Sequence, residues 1–205
     1  MQPMATRYSL VVPVYRNEET IPDLLEALAG IDRELGGALE VVFVIDGSPD
    51  RSLALLVDAL PRTGLTAQVL EMSRNFGAFA AIRAGLIEAT GPHFAVMAAD
   101  LQEPPELAVE FFRRLAQGTC DVVCGVRAGR DDPLPARLAS ALFWASYRRL
   151  VQPEMPPGGV DVFGCNVRAR DALVSLTEAH SSLIGQLLWI GMRRAAMVII
   201  VVSAM

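Results

Sequence analysis

The chain has 205 residues, 52% hydrophobic and 20% charged, with a formal net charge of −5. That balance suits the packed α/β core of one large domain or two small ones and excludes a disordered polymer. An acidic chain lacks the basic surface that a phosphate backbone calls for, so nucleic acid is not an expected partner. Cys120, Cys124 and Cys165, with only His93 and His180 besides, make neither a disulfide framework nor a zinc site. These thiols read as small core residues in a reducing compartment.

Taken in chain order, residues 1–7 are short and polar with no apolar signal-peptide core behind them, so secretion is not expected. Short β-branched runs predict strands at 8–14, 40–46, 67–72, 93–98 and 121–126. Longer segments of helical period predict helices at 18–35, 51–60, 76–89 and 104–117. Pro104 and Pro105 suit a helix start, and Gly91 and Gly118 suit helix stops. This alternation implies a mostly parallel sheet with helices on both faces, because a parallel crossover needs a connection of helix length. Beyond 127 the pattern changes to a charged loop, a helix at 138–151, a loop with three prolines at 152–159, a strand at 160–166 and helical stretches near 171–176 and 182–190. No run of about 18 to 20 apolar residues occurs, so no spanning helix is expected. The apolar tail at 195–205 reads as a buried strand, a lipid-contacting end or the end of a truncated protein.

In an open α/β sheet, ligands sit outside the carboxyl ends of the strands. The segments that follow the predicted strands are Pro13-Val14-Tyr15-Arg16-Asn17-Glu18, Asp46-Gly47-Ser48-Pro49-Asp50, Ser73-Arg74-Asn75-Phe76-Gly77 and Asp100-Leu101-Gln102. One such turn is ordinary; four at one sheet edge indicate a site. Asp100, after a buried strand, suits Mg²⁺ or Mn²⁺ held by one or two carboxylates and diphosphate oxygens; its alternative is a cap for the helix at 104. Asp46 can accept from a base N–H or a ribose hydroxyl, or be a turn residue before Gly47. Arg74 can meet phosphate, while Asn75 and Gly77 let the backbone approach a ligand or simply open a helix.

These segments resemble glycosyltransferase family 2. The 13–18 stretch resembles its opening nucleotide-binding segment, and Asp46 to Ser52 its second-strand acidic turn. Arg74-Asn75-Phe76-Gly77 with Ala80, Ala81 and Gly85 resembles the next helix entry. Ala98-Ala99-Asp100-Leu101-Gln102-Glu103-Pro104-Pro105 is similar to the metal-binding Asp-x-Asp segment, with Ala98 in place of the first Asp. Gly125-Val126-Arg127 and Arg130-Asp131 match the strand and loop after it. Gly159-Val160-Asp161-Val162-Phe163 resembles the Gly-Asp-Phe element of the branch that glycosylates polyprenyl phosphates.

The resemblance runs from about residue 8 to 194 and implies a GT-A, Rossmann-like fold filling residues 1–205 as one domain, with a nucleotide-sugar half at 8–126 and an acceptor half at 127–194. It implies transfer, with inversion, from a nucleotide-diphosphate sugar to an undecaprenyl or dolichyl phosphate in cell-envelope glycan synthesis. Donor contacts are then expected from Pro13, Tyr15, Asn17, Glu18, Asp46, Ser48, Arg74, Asn75, Gly77, Asp100 and Gln102. Asp100 would hold Mg²⁺ or Mn²⁺, Asp161 would act in catalysis beside the acceptor, and Arg127 and Arg130 would meet its phosphate. The protein is expected in the cytoplasm, peripheral on the inner face of the cell membrane. Leu138, Leu142, Phe143, Trp144 and Tyr147 beside Arg137, Arg148 and Arg149 offer an interfacial helix, or else a core helix with solvated arginines. Ala98 and the unusual tail keep two alternatives open: transfer to a saccharide hydroxyl, and a non-catalytic nucleotide-binding paralogue.

Overall fold

The structure, a computed structural model, describes residues 7–127, 159–160, 162–177 and 182–199. Their elements run β1 (Tyr8–Val14), α1 (Ile21–Glu34), β2 (Leu39–Ile45), α2 (Ser52–Thr63), β3 (Thr66–Glu71), α3 (Ala78–Glu88), β4 (His93–Val96), α4 (Glu106–Ala116), β5 (Val122–Arg127), β6 (Val162–Asn166), α5 (Val167–Ser175), α6 (Leu183–Trp189) and β7 (Arg194–Ile199). The seven strands stand in the order β3-β2-β1-β4-β6-β5-β7. β1 to β4 are mutually parallel, and β7 is parallel to β5. β6 runs antiparallel to both its neighbours, β4 and β5.

Strand alternation sorts the core into two layers. Leu10, Val12 and Val14 of β1 join Phe43 in a cluster with Leu24 and Leu28 of α1, Leu56 of α2 and Phe111 and Phe112 of α4. Val11 points the other way, with Val42 and Val44, onto Ala81 and Leu86 of α3, Leu173 of α5 and Leu187 of α6. Each fully buried aliphatic side chain contributes about 1.5–3 kcal/mol. Close packing of α3 depends on Gly85: a Cβ there would lie 2.4 Å from the Val11 Cγ1.

Several boundaries differ from the sequence expectation for local reasons. α1 begins at Ile21 rather than residue 18, with Pro22 in its first turn. α5 begins at Val167, because the Asn166 side chain caps it by accepting the Ala169 N–H at 3.0 Å. Within the expected 195–205 tail the described residues to 199 belong to β7, which pairs with β5 at the end of the strand order. All three cysteines are buried and free. Burial pushes the Cys124 thiol up to about 11 and that of Cys165 to about 12, so both behave as core residues. The expected helix at 138–151 lies outside the described residues. No described helix is long and apolar enough to cross a membrane.

Candidate functional site

The strand order reverses at β1, with β2 and β3 on one side and β4 on the other. A crevice is expected outside the carboxyl ends of β1 and β4. Its opening is written into β1. The Val11 carbonyl accepts the Met97 N–H at 3.1 Å, so Val11 faces β4, and Pro13, two residues on, faces the same way. The β1–β4 pairing ends at Val11↔Val96. A residue without an N–H therefore sits where the ladder stops and the strands part. Beyond it lies a cleft of about 240 Å³. Pro13, Tyr15 and Asn17 from the β1 exit, Asp46 from the β2 exit and Asp100 from the β4 exit line it, and Ala78, Ala98 and Ala99 make a wall of small side chains.

Asp46 is 2% exposed, and both its carboxylate oxygens accept backbone N–H groups: Oδ1 from Phe76 at 2.7 Å and Oδ2 from Gly77 at 2.8 Å. Gly47 adopts φ +59°, and a Cβ on it would stand 2.3 Å from the Arg74 carbonyl carbon. The β2 exit and the loop before α3 thus pack backbone against backbone. In that loop the Arg74 guanidinium stacks 3.9 Å over the Phe76 ring and donates to the Asn75 carbonyl, and the Arg74 and Asn75 residues are exposed.

The β1 exit is laced to the β2 exit. The Arg16 N–H donates to Ser48 Oγ at 2.7 Å, the Asn17 N–H to Ser52 Oγ at 3.1 Å and the Glu18 N–H to Asp50 Oδ2 at 3.0 Å. The Glu18 carboxylate turns to the start of α2, accepting the Arg51 N–H at 2.9 Å. Ser48 and Asp50 line a separate open groove along α2 and β3. Burial raises the Asp50 carboxyl, but donation from Ser48, Ser52 and the Glu18 N–H outweighs it and holds the group at about 2.

Asp100 is exposed at the cleft, and its Oδ1 accepts the Gln102 N–H at 3.2 Å across a turn whose Leu101 has φ +55°. It does not cap α4, whose N-cap is Pro105. The Thr20 hydroxyl donates to the Ala99 carbonyl at 2.9 Å and ties the start of α1 to this loop. Among the described residues, no three His, Cys, Asp or Glu side chains gather around a common point. One exposed carboxylate still fits a hard divalent ion that keeps water and substrate phosphate as its other ligands.

Of the residues expected from sequence, Pro13, Tyr15, Asn17, Asp46 and Asp100 meet in the cleft. Arg74, Asn75 and Gly77 join it through the Asp46 clamp, and Gln102 adjoins Asp100. Glu18 and Ser48 serve the lacing between loops. The Arg127 side chain, Arg130 and Asp161 lie outside the described residues. Sequence reasoning missed the alanine wall, Thr20, and the part taken by Asp50 and Ser52. The serine-aspartate spacing after β2 was the available signal for the last pair.

Comparison with known proteins bears on this site. The family model described as Glycosyl transferase family 2 matches residues 9–176. Curated relatives named undecaprenyl-phosphate 4-deoxy-4-formamido-L-arabinose transferase include one from Pseudomonas aeruginosa (strain LESB58), 39% identical over 161 residues, covering 78% of this chain and 46% of the relative. Another, from Pectobacterium carotovorum subsp. carotovorum (strain PC1), is 39% identical over 176 residues, covering 84% and 51%. The chain spans about half the length of these relatives. Among solved structures, a mannosyltransferase from Pyrobaculum calidifontis in complex with GDP-Man and Mn²⁺ aligns with a TM-score of 0.68 at 20% identity, over 97% of this chain and 57% of that one. Glucosyl-3-phosphoglycerate synthase from Mycobacterium tuberculosis with UDP aligns at 0.63 and 19%, over 98% and 72%. Both likenesses concern the GT-A fold.

Proposed function

The chain belongs to glycosyl transferase family 2, and from that premise we propose that it binds a nucleoside-diphosphate sugar in the β1–β4 cleft and serves transfer of the sugar to a polyprenyl phosphate. The observation that supports this most is the convergence of three strand-exit loops on one cleft, with Asp100 exposed in it. The names of the relatives favour undecaprenyl phosphate as acceptor. The GDP-Man, UDP and Mn²⁺ in the structures of the same fold favour a purine or pyrimidine nucleotide and a divalent ion.

In this reading Tyr15 and Asn17 bound the nucleotide on one side. Asp46 fixes the loop that carries Arg74, and Arg74 meets phosphate. Asp100 would hold Mg²⁺ or Mn²⁺, and such an ion would supply positive charge to the departing diphosphate. An oxygen of the acceptor phosphate forms the new bond to the anomeric carbon as the bond to the nucleoside diphosphate breaks, inverting that carbon. The nucleophile is already an anion, so no strong base is required. Arg127 and Arg130 are proposed to meet the acceptor phosphate, and Asp161 to act beside it. The surface served is the cytoplasmic face of a membrane.

Calorimetry with UDP and GDP, each with and without Mn²⁺, tests the donor half. Binding that Mn²⁺ strengthens is expected. A folded protein that binds neither nucleotide would end the proposal. Ala98 lines the cleft where the family pattern has its first Asp, which favours weak metal retention. Ala98→Asp is expected to tighten Mn²⁺-dependent binding.

A further inference from the structure

Three consecutive backbone amides of the β1 exit, those of Arg16, Asn17 and Glu18, all lead to one carboxylate. The Glu18 N–H donates to Asp50 Oδ2 directly. The Arg16 N–H donates to Ser48 Oγ, which donates to Asp50 Oδ1 at 2.6 Å. The Asn17 N–H donates to Ser52 Oγ, which donates to Asp50 Oδ2 at 2.9 Å. The Ser52 N–H completes the set on Oδ1 at 3.2 Å. Each carboxylate oxygen thus accepts from two donors. Each serine hydroxyl accepts an amide N–H on its oxygen while donating its own proton to Asp50.

The turn so held is not one the chain adopts unaided. Arg16 has φ +57°, a left-handed conformation that a non-glycine residue rarely keeps without outside support. Within the same turn the Tyr15 N–H donates to Asn17 Oδ1 at 2.9 Å, which sets Tyr15 and Asn17 against the cleft. Asp50 itself faces the other groove, along α2.

We propose that Asp50 is a positioning residue for the cleft: through Ser48 and Ser52 it holds the Arg16–Glu18 turn in the shape that presents Tyr15 and Asn17, without touching the ligand. The claim about the turn rests on the hydrogen bonds alone, and its consequence for binding rests on the nucleotide reading above. Asparagine is no substitute. Its single oxygen serves half of the four donors, and its NH₂ meets the rest as a second donor.

Hydrogen exchange of the full chain, followed by mass spectrometry, tests the turn with no ligand present. In Asp50→Ala and in Asp50→Asn the amides of Arg16 to Glu18 should exchange at least about tenfold faster, with β2 amides unchanged. In Asp58→Ala, altered at an exposed ion pair in the same groove, they should exchange as in wild type. The UDP and GDP affinities with Mn²⁺ should fall about tenfold in both Asp50 variants and stay constant in Asp58→Ala. Unchanged exchange at 16–18 overturns the proposal. So does faster exchange with unchanged nucleotide affinity. If the wild type binds no nucleotide, the donor reading fails and the exchange result still decides what Asp50 holds. If Asp50→Ala does not fold, Ser48→Ala cuts only the relay to Arg16, and that one amide should then exchange faster.

Discussion

The two ends of the central strands carry the same kind of network put to different uses. At the amino end, Glu40 is 4% exposed and accepts from the Ser9 hydroxyl at 2.7 Å, the Thr90 N–H at 2.9 Å and Gln68 Nε2 at 2.8 Å. Ser9 Oγ in turn accepts the Gly91 N–H at 2.9 Å. That is again a carboxylate reaching a loop amide through a serine, and it joins β1, β2 and the entry to β4 at the strand ends opposite the cleft. At the carboxyl end, Asp50 does this for the turn that forms one wall of the cleft. Chemistry alone does not tell a stabilising carboxylate from a site-forming one; position relative to the switch point does.

The comparison is sharpest at Asp100, the carboxylate at the cleft with the fewest structural duties. Asp100→Asn keeps its shape and its turn but loses its charge. Mn²⁺-dependent nucleotide binding should vanish, and any transfer rate should drop by about 100-fold or more, given that a catalytic metal supplies several kcal/mol. Thermal stability should stay near that of wild type. Unaltered metal dependence in this variant would place the ion elsewhere.

Gly47→Ala tests the backbone contact beneath the cleft. Its φ of +59° alone costs a non-glycine residue about 1–3 kcal/mol, and the 2.3 Å approach to Arg74 adds a clash that no side-chain motion relieves. A loss of stability above that range is expected in denaturant titration, along with weaker nucleotide binding. A loss below 1 kcal/mol would mean that the two loops are free to part.

At the opposite end, Glu40→Gln should cost stability and nothing else. It leaves buried donors facing an amide, at about 1–3 kcal/mol, while nucleotide affinity remains at the wild-type value. A fall in affinity comparable to that of the Asp50 variants would erase the distinction between the two ends.

Much of this was legible in the sequence. The run of strands and helices from β1 to α4 follows from alternating apolar patterns, and the cleft from polar segments after successive strands. Pro13 marks the parting of β1 and β4 in a single letter. What stayed hidden depends on distant partners. Asp50 reads as an ordinary turn residue because the Glu18 amide it holds lies 32 residues away, and the amides its serines reach lie 32 and 35 residues from them. The reversal of β6 is equally invisible, since one apolar run serves either direction. The cap at Asn166 was readable in principle, but the residues after it lack strong helical period.

The smallest expected effect lies in acid, and it separates the two carboxylates within one protein. Burial raises Glu40, yet the hydrogen bonds from Thr90, Ser9 and Gln68 outweigh it and leave the group below its ordinary 4.5. Asp50 falls from 3.8 to about 2 by the same balance. A carboxyl depressed on folding contributes stability that is complete above its unfolded value and is lost as pH falls through its folded one. Glu40 should therefore begin to lose its contribution below about pH 4.5, and Asp50 only between about 4 and 2. Asp121, which the Arg193 guanidinium holds well below the carboxylate range, also titrates late and so belongs to the background of both curves. Subtracting the Asp50→Asn stability curve from that of wild type should leave a pH-dependent difference confined to the lower window. Subtracting Glu40→Gln should leave one that begins higher. If the Asp50 difference is flat from pH 5 to pH 2, the carboxylate is not bonded in its charged form, and the relay through Ser48 and Ser52 does not operate.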